Sequence, residues 1–311
     1  MADHILQTGF FDVGAGHTLR WQLWGKKNGI PVVCLHGGPG AGFQDSHKSV
    51  FDPERHTVLL FDQRGCGKST PYGSTEHNTT PDLVADTCKL MDHVGFKTAH
   101  IAGGSWGSAL SLIFAIAHPE RVRSLLIWSV YLIRPFENAW VNEGGPRNLF
   151  PDEYKRFISN VPADVPKDSV SIMKFYRDKI FSDDEAVAAK YAFEWTLWEE
   201  CLITITYNPD TLEAEVREDP NAVSIARLEL YYFLNGCFVP ENHILDSVGR
   251  IRHLRCRVVQ GRFDMCTPAV SAHDLRDAYG EQLELKVVNS GHLRSDPEMN
   301  VALQKAASSF E

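Results

Sequence analysis

A serine set between glycines, Gly103-Gly104-Ser105-Trp106-Gly107, constrains this chain more than any other stretch. A short apolar run, Thr98 to Ala102, leads into it, and an apolar, helix-like run, Ser108 to Ala117, leaves it. A strand that turns at once into a helix forces the residue at the corner into a cramped backbone conformation. Side chains two positions away would clash there, so Gly103 and Gly107 fit the positions they hold. The spacing predicts a nucleophile elbow, with the Ser105 hydroxyl projecting from the top of a sheet. The N–H of Trp106 and the helix N-terminus behind it would face a developing oxyanion.

The flanking pattern supplies the sheet. Gly9 to Trp24 reads as two strands around the turn Gly14-Ala15-Gly16, a hairpin at a sheet edge. Pro31 to Leu35 and Thr57 to Asp62 are continuous apolar runs, as in strands buried on both faces. The first ends in His36-Gly37-Gly38-Pro39-Gly40, which cannot continue a strand, and the N–H of Gly38 is the natural second oxyanion donor. After the second comes Gln63-Arg64-Gly65-Cys66-Gly67-Lys68-Ser69, whose glycine spacing is wrong for a nucleotide-binding phosphate loop. Thr80 can cap a helix with Pro81 at its first position, its apolar stripe running through Leu83, Val84, Leu90, Met91 and Val94 to Gly95. Pro119 stops the helix after the elbow, and Ser124 to Trp128 is a further strand.

From Tyr131 to Asn242 strand-like runs vanish and helical, aromatic sequence takes over. Strands resume at Cys256 to Gln260 and Leu283 to Val288. The expectation is an α/β-hydrolase fold: a mostly parallel sheet with helices on both faces and a helical cap inserted over the active site. Residues 1–130 and 243–311 form the core and 131–242 the cap. The resumed strands end in Gly261-Arg262-Phe263-Asp264 and Asn289-Ser290-Gly291-His292. The order serine, acid, histidine suits that fold, each group in a loop after a strand. His292 would take the Ser105 proton, and Asp264 would hold the imidazole tautomer and stabilise its charged form.

Composition narrows the partners. Of 311 residues 43% are hydrophobic and 23% charged, as in soluble globular proteins, and the net charge is −9 with no basic run. This argues against nucleic acid or an anionic membrane as partner. No apolar run approaches the ~20 residues a membrane span needs. The 7 cysteines show no metal or disulfide spacing and read as reduced thiols. The start Met1-Ala2-Asp3-His4 lacks a signal-peptide pattern, so a cytoplasmic location is expected. Neither a metal nor a cofactor is called for, and the expected partner is a small peptide or another small-molecule substrate.

His36-Gly-Gly-Pro-Gly40, Asp62-Gln-Arg-Gly65, Gly103-Gly-Ser-Trp-Gly-Ser108 and Gly261-Arg-Phe-Asp-Met265 together resemble the proline iminopeptidases, or prolyl aminopeptidases, of the α/β-hydrolase superfamily. The resemblance spans nearly the whole chain. It implies release of an N-terminal proline from a peptide through an acyl-enzyme on Ser105, without metal or cofactor. Trp195-Thr-Leu-Trp198-Glu199, and Ala226-Arg-Leu-Glu229 with Tyr231-Tyr-Phe233, resemble the family's two cap motifs. By that resemblance Glu199 and Glu229 hold the substrate's free amino end, as paired carboxylates in a dry aromatic pocket can. Trp128, Tyr131 and Phe233 are expected at the substrate pocket. Here the chain departs from the family: Trp128-Ser129 replaces a usual Arg-Gly pair, Tyr131 a usual phenylalanine, and Asn142 lies near an expected pocket tyrosine. An alternative is a hydrolase of the same fold acting on a non-peptide ester, lactone or amide. A non-catalytic ligand-binding protein is disfavoured by the complete triad, and an epoxide hydrolase by serine at the elbow.

Overall fold

The computed structural model describes residues 4–206 and 208–311. Met1 to Asp3, which carry most of the N-terminal reading above, lie outside the described residues. The chain opens with the edge hairpin β1 (Ile5–Gly14) and β2 (His17–Gly25), joined antiparallel across the expected glycine turn. Then follow β3 (Ile30–Leu35), β4 (His56–Phe61), α1 (Thr80–His93), β5 (Ala99–Ser105), α2 (Trp106–Ala117) and β6 (Val122–Val130). The eight-stranded sheet has the order β1-β2-β4-β3-β5-β6-β7-β8, with β7 at Arg255–Gly261 and β8 at Leu283–Val288. Within this sheet β1/β2 and β2/β4 pair antiparallel, and the other neighbours pair parallel.

Alternation along the central strands divides the core in two. Val33, Leu35, Leu59, Ile101, Leu125 and Ile127 face one side, where they meet Leu90 of α1 and Leu110 and Phe114 of α2. Val32, Cys34, Val58, Leu60, Leu126 and Trp128 face the other. α2 has almost no polar face, and all but its last residue is buried, as an all-apolar helix requires. Two boundaries differ from the sequence reading. α1 is capped by Thr79, reciprocally with Asp82, because the Thr80 hydroxyl instead donates to the Cys237 carbonyl at 2.5 Å. β5 continues past Ala102 through Gly103 and Gly104, which keep pairing with Leu35, Ile127 and Trp128.

Between β6 and β7 run α3 (Pro135–Glu143), α4 (Pro151–Ser159), α5 (Ser169–Ile180), α6 (Glu185–Ile203), α7 (Pro209–Glu218), α8 (Ala222–Leu234) and the short α9 (His243–Ser247). Phe157, Ile172, Tyr176, Trp195, Trp198, Ala226 and Leu230, from four of these helices, form an apolar cluster separate from the two sheet cores. α10 (Ala269–Tyr279) follows β7, and α11 (Pro297–Ala307) follows β8 and closes the Trp128 face with Met299 and Leu303. No helix among the described residues is long and apolar enough to cross a membrane.

Candidate active site

Ser105 stands at the β5–α2 corner with φ 57° and ψ −128°, a conformation that non-glycine residues rarely adopt and that stores strain. A Cβ at Gly103 would collide with the carbonyl of Gly107, and one at Gly107 with the carbonyl of Leu35. The two glycines therefore serve the close approach their spacing suggested. Ser108 completes the corner: its hydroxyl donates to the Ser105 carbonyl at 2.7 Å and accepts from the Tyr131 N–H at 3.0 Å.

The Gly38 loop lies beside the elbow: a Cβ at Gly37 would touch that of Ser105. Gln63 fastens the two together. Its amide donates to the His36 carbonyl at 3.0 Å, its side-chain oxygen accepts from the Trp106 indole at 2.9 Å, and its backbone N–H donates to His36 Nε2 at 3.0 Å. The Asp62-Gln-Arg-Gly65 stretch thus has a scaffolding task that the sequence alone did not reveal. Its Arg64 guanidinium makes a buried two-point pair with Asp86, at 2.6 and 2.8 Å. Trp106 begins α2, where N–H groups lack intrahelical acceptors.

Asp264 and His292 meet directly. His292 Nδ1 lies 3.0 Å from both carboxylate oxygens. The Asp264 carboxylate also accepts from the N–H of Cys266 at 3.1 Å, the N–H and hydroxyl of Thr267 at 2.8 Å each, and the Gln260 amide at 3.3 Å. So many donors fix its orientation. The His292 backbone is held from two sides: its N–H donates to the Ile203 carbonyl at the end of α6 at 3.2 Å, and its carbonyl accepts from the Ser129 hydroxyl at 2.8 Å. Ser129 sits at the bulge where β6 pairs with the Ser105 end of β5. No hydrogen bond joins Ser105 to His292 among the described residues; in hydrolases such contacts often tighten only with substrate. Burial works against the charged imidazolium of His292, but Asp264, Glu199 and Glu200 together outweigh it and raise its pKa above 6.5.

A cavity of about 50 Å³ opens at Ser105 and Gly38. Tyr131, Phe233, Val141, Trp195 and Trp198 give it apolar walls, and Glu199, Asn138 and Asn142 add polar ones. Tyr131 and Phe233 meet edge to face, 6.0 Å between centroids. Glu199 lines the cavity directly. Glu229 stands behind it, 1% exposed, accepting from the Trp195 indole at 2.7 Å and hydrogen-bonded to Glu199. Burial first, and the Glu199 charge second, hold the Glu229 carboxyl well above the usual carboxylate range. Burial and Glu199 likewise push Glu200 up to about 7.

One expected pocket residue lies elsewhere. Trp128 points to the α11 face of the sheet and packs directly beneath Gly104, where any Cβ would strike the indole. It is not among the residues lining the cavity. Strand parity explains this: Ile127, not Trp128, faces the α2 side. Asn142, singled out in the sequence beside the expected pocket, lines the cavity; the sequence passed over Glu200, Gln260, Thr267 and the α3 neighbours Asn138 and Val141, although spacing of three and four residues from Asn142 could have marked Asn138. No three His, Cys, Asp or Glu side chains among the described residues converge so as to hold a metal ion.

Fold and site together define an α/β hydrolase: a family model described as the alpha/beta hydrolase fold matches residues 30–296. Within it, the chain belongs to the proline iminopeptidase family. It is 40% identical over 302 residues to a proline iminopeptidase of Neisseria gonorrhoeae, covering 96% of this chain and 94% of that protein. To one of Arabidopsis thaliana it is 40% identical over 299 residues, covering 95% and 77% of the two chains. Among solved structures it resembles in fold a proline iminopeptidase of Mycobacterium smegmatis (TM-score 0.63, 17% identity, 98% of each chain covered). An esterase of Exiguobacterium antarcticum is similar in fold (TM-score 0.66, 16% identity, 98% of this chain and 99% of the other).

Proposed function

We propose that this protein is a serine aminopeptidase that releases an N-terminal proline, or a similarly small residue, from short peptides. The observation that carries the reading is the carboxyl pair. Glu199 lines a small, apolar-walled cavity that opens at Ser105, and Glu229 stands behind it. A buried carboxyl group in contact with a half-buried one resists ionising together with it, and a cationic amine placed against the pair relieves that repulsion. An amide substrate without a free amine gains nothing there. The cavity has room for only a few waters, enough for one small ring.

In this reading the amine seats on Glu199, backed by Glu229, and the ring lies between Tyr131 and Phe233. Ser105 Oγ attacks the carbonyl carbon as His292 Nε2 takes the hydroxyl proton. The N–H groups of Gly38 and Trp106 receive the oxyanion. Asp264, on Nδ1, holds the tautomer and offsets the imidazolium charge. The tetrahedral intermediate collapses, the peptide nitrogen leaves with the His292 proton, and a prolyl ester on Ser105 remains. Water, deprotonated by His292, attacks that ester; the C–O bond to Ser105 breaks and free proline departs.

The helical segment 131–242 acts as a cap in this account. It carries its own apolar cluster and supplies both glutamates, so it restricts entry to chain ends. Tyr131, Asn138 and Phe233 also border a wider outer groove of about 580 Å³, the natural approach for substrate. The test is labelling and turnover together. Wild-type protein reacts with a fluorophosphonate at Ser105 and hydrolyses prolyl anilide. Ser105→Ala folds, takes no label and loses several orders of magnitude in kcat. Retention of a tenth of wild-type turnover by that variant contradicts the assignment.

A further inference from the structure

Tyr131, Asn138 and Phe233 border both the cavity at Ser105 and the outer groove, so the way between the two spaces runs past them. Phe233 offers no polar group there. The buried Tyr131 hydroxyl is committed: it donates to Asn138 Oδ1 at 3.3 Å and also hydrogen-bonds the Cys237 thiol. An amide whose oxygen is taken turns its nitrogen the other way, and that nitrogen carries two N–H donors. Neither donor of Asn138 Nδ2 has a hydrogen-bond partner among the described residues. The side chain is half-buried, and its nitrogen is not one of the unpaired polar atoms sealed from solvent. The donors therefore stand open. Their helix is fixed: Arg134 of α3 pairs with Asp274 of α10 at 2.8 Å, and the Trp140 indole donates to the Met265 carbonyl at 2.8 Å. A donor on so rigid a support is placed in advance of its ligand.

The cavity, about 50 Å³, holds little beyond the first residue, so a substrate with its carbonyl at Ser105 sends the rest of its chain outward. The groove of about 580 Å³ receives it. In a peptide, the next main-chain carbonyl comes just beyond the α-carbon on the leaving nitrogen, whatever the side chain. It is an acceptor, and it leaves past the Asn138 donors. We infer that Asn138 Nδ2 donates to the main-chain carbonyl of the residue following the one released, so that the enzyme favours peptides over simple amides of the same N-terminal residue. Asn138 is thus a specificity residue for the leaving group, and Tyr131 is the positioning residue that sets the direction of its amide. This rests on the aminopeptidase reading, with Ser105 as nucleophile and the groove on the leaving side.

The test is the ratio of kcat/KM for prolyl-alaninamide to that for prolyl isopropylamide. The second compound keeps the α-carbon and methyl of the alanine but has no following carbonyl. In Asn138→Leu the ratio should fall about three- to tenfold, the worth of one neutral hydrogen bond. Asn138→Asp is nearly the size of the original but has no donor, and should lower the ratio at least as far. Tyr131→Phe leaves the amide free to turn and should lower it by less. If Asn138→Leu does not fold, as read by thermal melting, Asn138→Asp carries the test. A ratio within about twofold of wild type in the Asn138 variants overturns the inference, whether both compounds lose activity equally or neither does. So does a ratio lowered by Asn138→Leu but kept by Asn138→Asp, which would make size rather than the donor decisive. Failure of the aminopeptidase reading looks different: the wild type then cleaves neither compound, or prefers their N-acetylated forms, and this inference falls with it.

Discussion

His292 titrates among carboxylates from two parts of the molecule, Asp264 after β7 and Glu199 and Glu200 at the end of α6. Their combined charge outweighs the burial that opposes its protonation, so its pKa is raised above 6.5. The sign for activity follows. Lowering the pH protonates His292 and removes the base, so kcat/KM falls on the acid side, and the raised pKa places that fall above pH 6.5. Glu200, pushed to about 7 by burial and Glu199, loses its own charge in the same window. Glu200→Gln should therefore move the acid limb to lower pH, by less than one unit. A pH profile of kcat/KM for prolyl anilide reads it; an unmoved limb, or one displaced upward, contradicts the coupling. Glu200 carries no motif of its own, and only the fold brings the end of α6 against His292, through the Ile203 carbonyl.

The elements around the elbow depend on groups that touch no substrate. Gln63 ties the loop after β3 to the first residue of α2, so it sets where the Gly38 and Trp106 N–H groups stand relative to one another. Gln63→Leu has similar bulk but leaves the Trp106 indole and the His36 carbonyl unpaired. We expect it to lower stability by about 1–3 kcal/mol and kcat by about tenfold or more, with KM little changed. Thermal melting and steady-state kinetics check both, and a kcat within threefold of wild type contradicts the scaffolding role. What could be read in advance at this scale was local. Glycine spacing announced the elbow, and loops after apolar strands announced Asp264 and His292. The long-range clamps were silent, because a glutamine or serine in a loop has many local uses. Ser129 shows the limit. As sequence it is a departure beside the substrate pocket; in the fold its hydroxyl holds the His292 carbonyl across β6. Trp128 shows another, since alternation along β6 separates two faces but does not say which lies toward the cavity.

At the scale of the whole molecule, the proposed reactive groups follow strands of a sheet with two apolar cores, and the proposed amine readers stand on helices that form a separate apolar cluster. The change from strand rhythm to aromatic helical sequence marked that division. The hydrogen-bonded contact between Glu199 and Glu229, from α6 and α8, was legible only through family resemblance, because nothing in either segment alone places them side by side. The central claim is that a free, cationic amine is read there while Ser105 attacks. The most direct measurement is the ratio of kcat/KM for prolyl anilide to that for N-acetylprolyl anilide, in wild type and in Glu199→Gln. The account predicts a wild-type ratio of roughly a hundred or more, falling about ten- to a hundredfold in the variant, as expected for the loss of a charge-assisted contact to a buried amine. A ratio near or below one in the wild type, or one that Glu199→Gln leaves unchanged, contradicts it.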